Sequence, residues 1–221
     1  MTNDTQVQAI LQATAAHVRT VMEQDSSGHD WWHIHRVWRN AIRLCEQEGA
    51  DRFVVELAAL LHDLDDWKLA PAGDGKPVRA LAWMEAQGVA SEVRDHVLEI
   101  ITQLSFKGAG VANTIRTLEG RIVQDADRLD AIGAVGIARA FAYGGHKGRL
   151  MHDPDEAPQF HATFEQYRNN RGTTINHFHE KLLLLKDRMN TDAGRRLAQE
   201  RHAFMEAFLA QFHQEWGDAD H

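Results

Sequence analysis

Apolar positions recur along most of this chain at intervals of three and four residues, the spacing that lines one face of an α-helix. Val7, Ile10, Leu11, Val18, Val21 and Met22 mark a first helix over about residues 5–23. Ser26-Ser27-Gly28 breaks it. A second helix is expected from Trp31 to Glu48, with Asp30 as its N-cap and Gly49 as its stop. A third starts at Asp51 as N-cap and carries Phe53, Val54, Leu57, Leu60, Leu61 and Leu64. Residues 70–76 read as a loop, and Pro77 suits the first turn of a fourth helix that ends at Gly88. Ser91 is the expected cap of a fifth, over about 92–104. Ser105–Gly110 is a turn. Further helices are expected at about 114–132, 134–143, 160–170, 174–189 and 192–216. The glycines and prolines of 144–158 predict a long loop, where a short hairpin would be the exception to the helical pattern. No alternating strand pattern and no internal repeat appears. The pattern therefore predicts an all-α chain folded as one domain over 1–221.

Composition narrows the class. The 221 residues are 43% hydrophobic and 25% charged, an ordinary globular balance. A formal charge of −8 disfavours a nucleic-acid backbone as partner and leaves room for a small anionic substrate only beside local cations. Cys45 stands alone, so no intrachain disulfide can form. No apolar run approaches the ~18 residues of a membrane span, and no signal-peptide pattern opens the chain. A cytoplasmic protein without a membrane partner is expected.

Candidate chemistry gathers where the third helix ends. Leu57–Leu61 is an apolar run that finishes in His62, Asp63, Asp65 and Asp66. His-Asp dipeptides occur at 29–30, 62–63 and 152–153, and with fourteen histidines chance alone supplies roughly one. Context separates them. Asp30 is an expected cap, and His152-Asp153 sits in a turn before Pro154. Only His62-Asp63 would be carried inward by an apolar helix. A buried charge needs a partner, and a divalent cation would answer for both side chains. They lie about 100° apart on a helix, so they can fill adjacent coordination positions but not a whole shell. His33 and His35, two residues apart, face different ways. His33 lies four before Val37 on the apolar stripe and is the favoured ligand, with His35 at the rim. In a third region, Asp127 projects from the edge of the stripe formed by Ile122, Val123, Ala126, Leu129 and Ile132. Asp125 and Asp130 read as supporting groups, caps or ion-pair partners.

Taken in order, His33, His62-Asp63 and Asp127 resemble the H…HD…D signature of the HD-domain metal-dependent phosphohydrolases. Trp31-Trp32-His33-Ile34-x-Arg36-Val37, Ser105-Phe106-Lys107-Gly108 and His177-Phe178-x-Glu180-Lys181-Leu182 look like a compact bacterial subgroup, over about residues 28–190. The resemblance implies a single-domain HD-type helical bundle. Its metal-binding core would span about 28–145, with C-terminal helices at about 160–216 packing on it. It implies one divalent ion (Mn, Fe, Co, Ni, Zn or Mg) held by His33, His62, Asp63 and Asp127. Some family members carry a second metal on extra histidines; here that interval offers only His96, so a mononuclear site is expected. By the same resemblance Asp66 is the candidate general acid/base, with Asp65 as the fallback.

Phosphate also requires cations. Lys107 in its glycine-flanked turn, Arg128, the basic loop His146-Lys147-Gly148-Arg149 and Lys181 are the candidates. Arg128 and Lys181 could equally serve structural ion pairs. Trp67 could stack on a base. The resulting expectation is a phosphohydrolase acting on nucleotides through metal-activated water, with (deoxy)nucleoside triphosphate cleavage to monophosphate and pyrophosphate as the specific form. Nucleoside 5′-monophosphatase and cyclic-nucleotide phosphodiesterase activities are the alternatives within that class. A catalytically silent nucleotide-binding regulatory module is the alternative outside it.

Overall fold

The structure, a computed structural model, describes residues 3–22, 30–65, 77–104, 115–159 and 172–217. Its elements are helices α1 (Asp4–Met22), α2 (Trp31–Glu48), α3 (Arg52–Leu61), α4 (Val78–Ala86), α5 (Ser91–Gln103), α6 (Leu118–Asp130), α7 (Gly133–His146), α8 (Thr174–Glu180) and α9 (Asp192–Trp216), with a 3-10 helix over Leu182–Arg188. No strand occurs among the described residues, and the fold is all-α. The expected helix at 160–170 lies outside the described residues. The described chain falls into two compact units: one from Met1–Ser105 and Thr114–Asp127, the other from Arg128 onward.

The first unit is built on α3. Its residues Val54 to Leu61 are all buried, as a helix apolar on every side requires, and α1, α2 and α5 pack against it. The one charge in that stretch, Glu56, is 3% exposed. It is satisfied by Trp38 Nε1–H at 2.7 Å and Arg52 Nε–H at 2.7 Å. Both expected caps form. Asp30 accepts the His33 N–H at 2.9 Å, and Asp51 accepts those of Phe53 and Val54 at 2.9 and 3.3 Å. Gly49 ends α2 at φ 77°, the left-handed conformation a C-terminal cap favours. Boundaries differ from expectation at three points, the first being α3, which ends at Leu61 although the apolar pattern runs on to Leu64. Ala90, not Ser91, is the N-cap of α5, and the Ser91 hydroxyl bonds Glu92 instead, at 3.2 Å. The helix expected from 114 begins at Leu118, because the Thr117 hydroxyl accepts the Gly120 N–H at 3.2 Å and so sets the first turn.

In the second unit α9 packs on α7 and on the 3-10 helix, and α8 packs on both of those. Arginines hold the end of α6. Arg139 pairs with Asp130 at 2.8 Å, Arg128 donates to the Arg188 carbonyl and Arg201 to that of Leu129. Three expectations are corrected here. The 174–189 stretch is not one helix: α8 ends at Glu180, and Lys181 leaves helical geometry at φ −141°, ψ −58° before the 3-10 segment. The buried Glu180 carboxylate accepts the Gln159 N–H at 2.8 Å, tying the break to the preceding loop. α7 runs to His146 rather than 143, and the loop after it forms no hairpin. That loop instead lends its Leu150 and Met151 carbonyls to the Thr174 and Ile175 N–H groups, at 3.0 and 2.9 Å.

Candidate metal centre

Three helices of the first unit deliver the site. His33 is the third residue of α2, 1% exposed, and its main chain is pinned by the Asp30 cap. His62 is the C-cap of α3. Its Nδ1 lies 2.9 Å from the Ala59 carbonyl, which can only accept, so that nitrogen carries the proton. The other nitrogen, Nε2, is therefore a lone-pair donor, and it is buried without a hydrogen-bond partner. Asp63 follows, 8% exposed. Asp127 comes from α6, its side chain 37% exposed.

These groups converge. The ligand atoms of His33, His62 and Asp127 all lie within 4.8 Å of one another, a group that could hold a metal ion. Asp63 sits between the imidazoles, Oδ2 3.4 Å from His33 Nε2 and Oδ1 3.5 Å from His62 Nε2. Asp127 Oδ1 is 3.6 Å from His33 Nε2. Those separations are longer than the 2.7–3.2 Å of good N–H···O bonds. They match two ligands held about 2.1 Å from one ion at a tetrahedral angle, which are roughly 3.4 Å apart. The unmatched His62 nitrogen and the mixed imidazole–carboxylate donors fit a divalent cation.

The remaining expected residues are placed as follows. His35 is outside the group, its ring against Trp31, Trp32 and Trp38 at 5.7, 5.8 and 6.3 Å. Burial, then Arg39 and Arg36, hold it below the usual imidazole range. His96 lies 3.7 Å from Glu119, away from the centre. Asp125 is fully buried, and Asp130 is in its ion pair. Asp153 accepts the Asp155 N–H at 3.0 Å, the turn chemistry its sequence implies. Asp66, Trp67 and Lys107 lie outside the described residues. Asp65 accepts the Arg79 N–H at 3.0 Å and the Ala80 N–H at 2.9 Å. In the second unit His146 and Lys147 are exposed, and Lys147 Nζ stands 5.5 Å over the Tyr143 ring. Burial first, then the charges of Lys181 and Arg149, lower the pKa of His177.

Sequence reasoning missed Arg79, whose guanidinium donates to the Leu64 carbonyl at 3.0 Å, one residue from Asp63. The signal was Pro77, a helix-opening residue with no side-chain oxygen to cap its own helix.

An all-α fold whose two histidines and two aspartates meet at the end of a buried helix is the architecture of the HD domain, and the HD-domain family model matches residues 31–132. The chain belongs to the HD superfamily of hydrolases. Its relatives include the uncharacterized protein YpgQ of Bacillus subtilis, 44% identical over 88% of this chain and 87% of YpgQ. A YpgQ structure in complex with ADP has a TM-score of 0.75 at 37% identity, covering 95% of this chain and 96% of that one. A Lactobacillus plantarum protein is similar with TM-score 0.84 and 42% identity, over 99% of this chain and 100% of that one. An HD-superfamily hydrolase of Bacillus thuringiensis matches with TM-score 0.75 and 46% identity, over 96% and 98%. No helix among the described residues is long and apolar enough to cross a membrane.

Proposed function

We propose that this chain is a metal-dependent phosphohydrolase acting on nucleotides, and that it cleaves a (deoxy)nucleoside triphosphate to monophosphate and pyrophosphate. The observation that carries the reading is the convergence of two imidazoles and two carboxylates around an unmatched His62 nitrogen. The ADP bound to the Bacillus subtilis relative supports a nucleotide as the ligand class. His33, His62, Asp63 and Asp127 would hold one ion, and their donor set suits Mn, Fe, Co, Ni or Zn better than Mg. Such an ion supplies an acidified water and polarises a phosphoryl oxygen.

The chain's own residues prepare that chemistry. The Ala59 carbonyl keeps the proton on His62 Nδ1, so the lone pair stays on Nε2. The Asp30 cap fixes the main chain of His33. Asp66 is assigned on sequence grounds to move the proton at its carboxyl, a role worth roughly 10²–10⁴-fold. Lys107, His146, Lys147 and Lys181 are assigned to the phosphates. Arg128 ranks below them, because it would have to release the Arg188 carbonyl.

The test is metal analysis together with phosphate and pyrophosphate release across nucleoside tri-, di- and monophosphates and cyclic nucleotides. The expected outcome is pyrophosphate from a triphosphate for the wild type, with at least a 100-fold loss, on the order of a lost metal role, in Asp63→Ala. Turnover of only monophosphates or cyclic nucleotides moves the reaction to another bond. Bound metal with no turnover of any of them points to a silent nucleotide-binding module. Wild-type metal content in both His62→Ala and Asp127→Ala sinks the centre itself.

A further inference from the structure

Helix α4 opens without a cap of its own. Its N-cap residue is Pro77, which has no side-chain acceptor, yet the first-turn N–H groups of a helix need one. The acceptor comes from the turn that carries the metal ligands. Asp65 Oδ1 takes the Arg79 N–H at 3.0 Å, and Oδ2 takes the Ala80 N–H at 2.9 Å. Arg79 replies with its guanidinium to the Leu64 carbonyl at 3.0 Å. Three hydrogen bonds thus close a ring between residues 64–65 and 79–80.

We propose that Asp65 and Arg79 form a positioning clamp for His62 and Asp63, which makes Asp65 a scaffold of the metal centre and not its proton carrier. The inference rests on the metal-centre reading. α3 ends at Leu61 and His62 is its C-cap, so Asp63 stands beyond the helical ladder. Within the turn, the Leu64 N–H donates to the Leu61 carbonyl at 3.1 Å. Asp63 follows the C-cap residue directly, and the clamp anchors the two residues after it, Leu64 and Asp65. Both oxygens of Asp65 are occupied by main-chain donors, so removing either one for proton transfer would uncap α4. Arg79 works from the other side, on the carbonyl adjoining Asp63. Such outer-shell support keeps ligands near their binding geometry.

The test is Mn²⁺ affinity by isothermal titration calorimetry, at a temperature where each variant keeps the wild-type far-UV circular dichroism. Asp65→Ala and Arg79→Ala are expected to weaken Mn²⁺ binding about 10–100-fold. Arg79→Lys, which keeps a cationic donor, is expected to recover most of the loss. Thr14→Val is the control. It breaks the 2.9 Å bond from Trp83 Nε1–H, on the same helix α4 but away from the turn. Its Mn²⁺ affinity should stay within about twofold of wild type, as for an independent site. Unchanged affinity in both alanine variants, even with a lower melting temperature, overturns the clamp and leaves a simple helix cap. Lost turnover at unchanged Mn²⁺ affinity in Asp65→Ala overturns it in favour of proton transfer. A wild type that binds no Mn²⁺ overturns the metal centre, and the clamp with it.

Discussion

A histidine's neighbours decide which of its nitrogens can act, and His62 and His177 show two outcomes. At His62 a carbonyl takes one nitrogen and leaves the other for a cation. At His177 burial first, then Lys181 and Arg149, push the imidazole pKa down from 6.5 to about 3. His177 therefore stays neutral in the folded chain while the unfolded chain takes up a proton below pH 6.5. Its contribution to stability is complete above that value and drains away as pH falls toward 3. The slope is at most about 1.4 kcal/mol per pH unit. In His177→Asn, urea denaturation at pH 7 and pH 4.5 should lose roughly 2–3 kcal/mol less than wild type does over that interval. Equal losses in the two proteins would refute the buried neutral imidazole. The neutrality of His177 had no sequence signal, because Arg149 reaches it from another element. His62-Asp63 was legible because charged residues finished an apolar helix. The bonds of Asp65 were not, since its partners lie fourteen and fifteen positions on.

Helix boundaries were readable where a cap is local. Asp30, Asp51 and Gly49 each act on residues within a turn of themselves, and each stands where the pattern placed it. The break after Glu180 was not readable. The Leu182–Leu185 run is apolar throughout and carries no period, while the tie that ends α8 comes from Gln159. Glycine in α7 offers a test at this scale. Replacing glycine by alanine inside a helix normally gains about 1 kcal/mol. A Cβ on Gly136, however, would stand 2.3 Å from the Ala131 carbonyl oxygen, a main-chain atom that cannot swing aside. Gly136→Ala should therefore destabilise, by roughly 1–3 kcal/mol. A thermal melt reads the sign directly, and a raised midpoint would refute the contact.

Across the whole molecule, the charge of −8 means that an anionic substrate would be captured against the overall field, by local cations and a metal held at the centre. A metal held there would also add to stability. Ligand at about 100 times its dissociation constant adds roughly 2.7 kcal/mol to the folded state. For a protein of this size that raises the melting midpoint on the order of 5–10 °C. Mn²⁺ should produce this shift in chelator-stripped wild type and none in His62→Ala, by differential scanning calorimetry. A shift retained in His62→Ala would place the ion elsewhere. The all-α class was legible from periodicity alone. The convergence of Asp127 with His33 was not: it depends on tertiary packing, in which Asn40 on α2 donates to the Ala126 carbonyl at 3.5 Å.

Glu56 carries a consequence for the alignment of α2 with α3. Trp38 stands five residues after His33, and Glu56 six before His62, on helices that run in opposite directions. The indole–carboxylate bond and the paired imidazoles are thus two marks on one ruler. Sliding α3 by a single turn, about 5.4 Å, would strand a carboxylate in the apolar interior and separate the imidazoles in the same movement. Neighbouring alignments are penalised twice over, even before any ion arrives to choose among them.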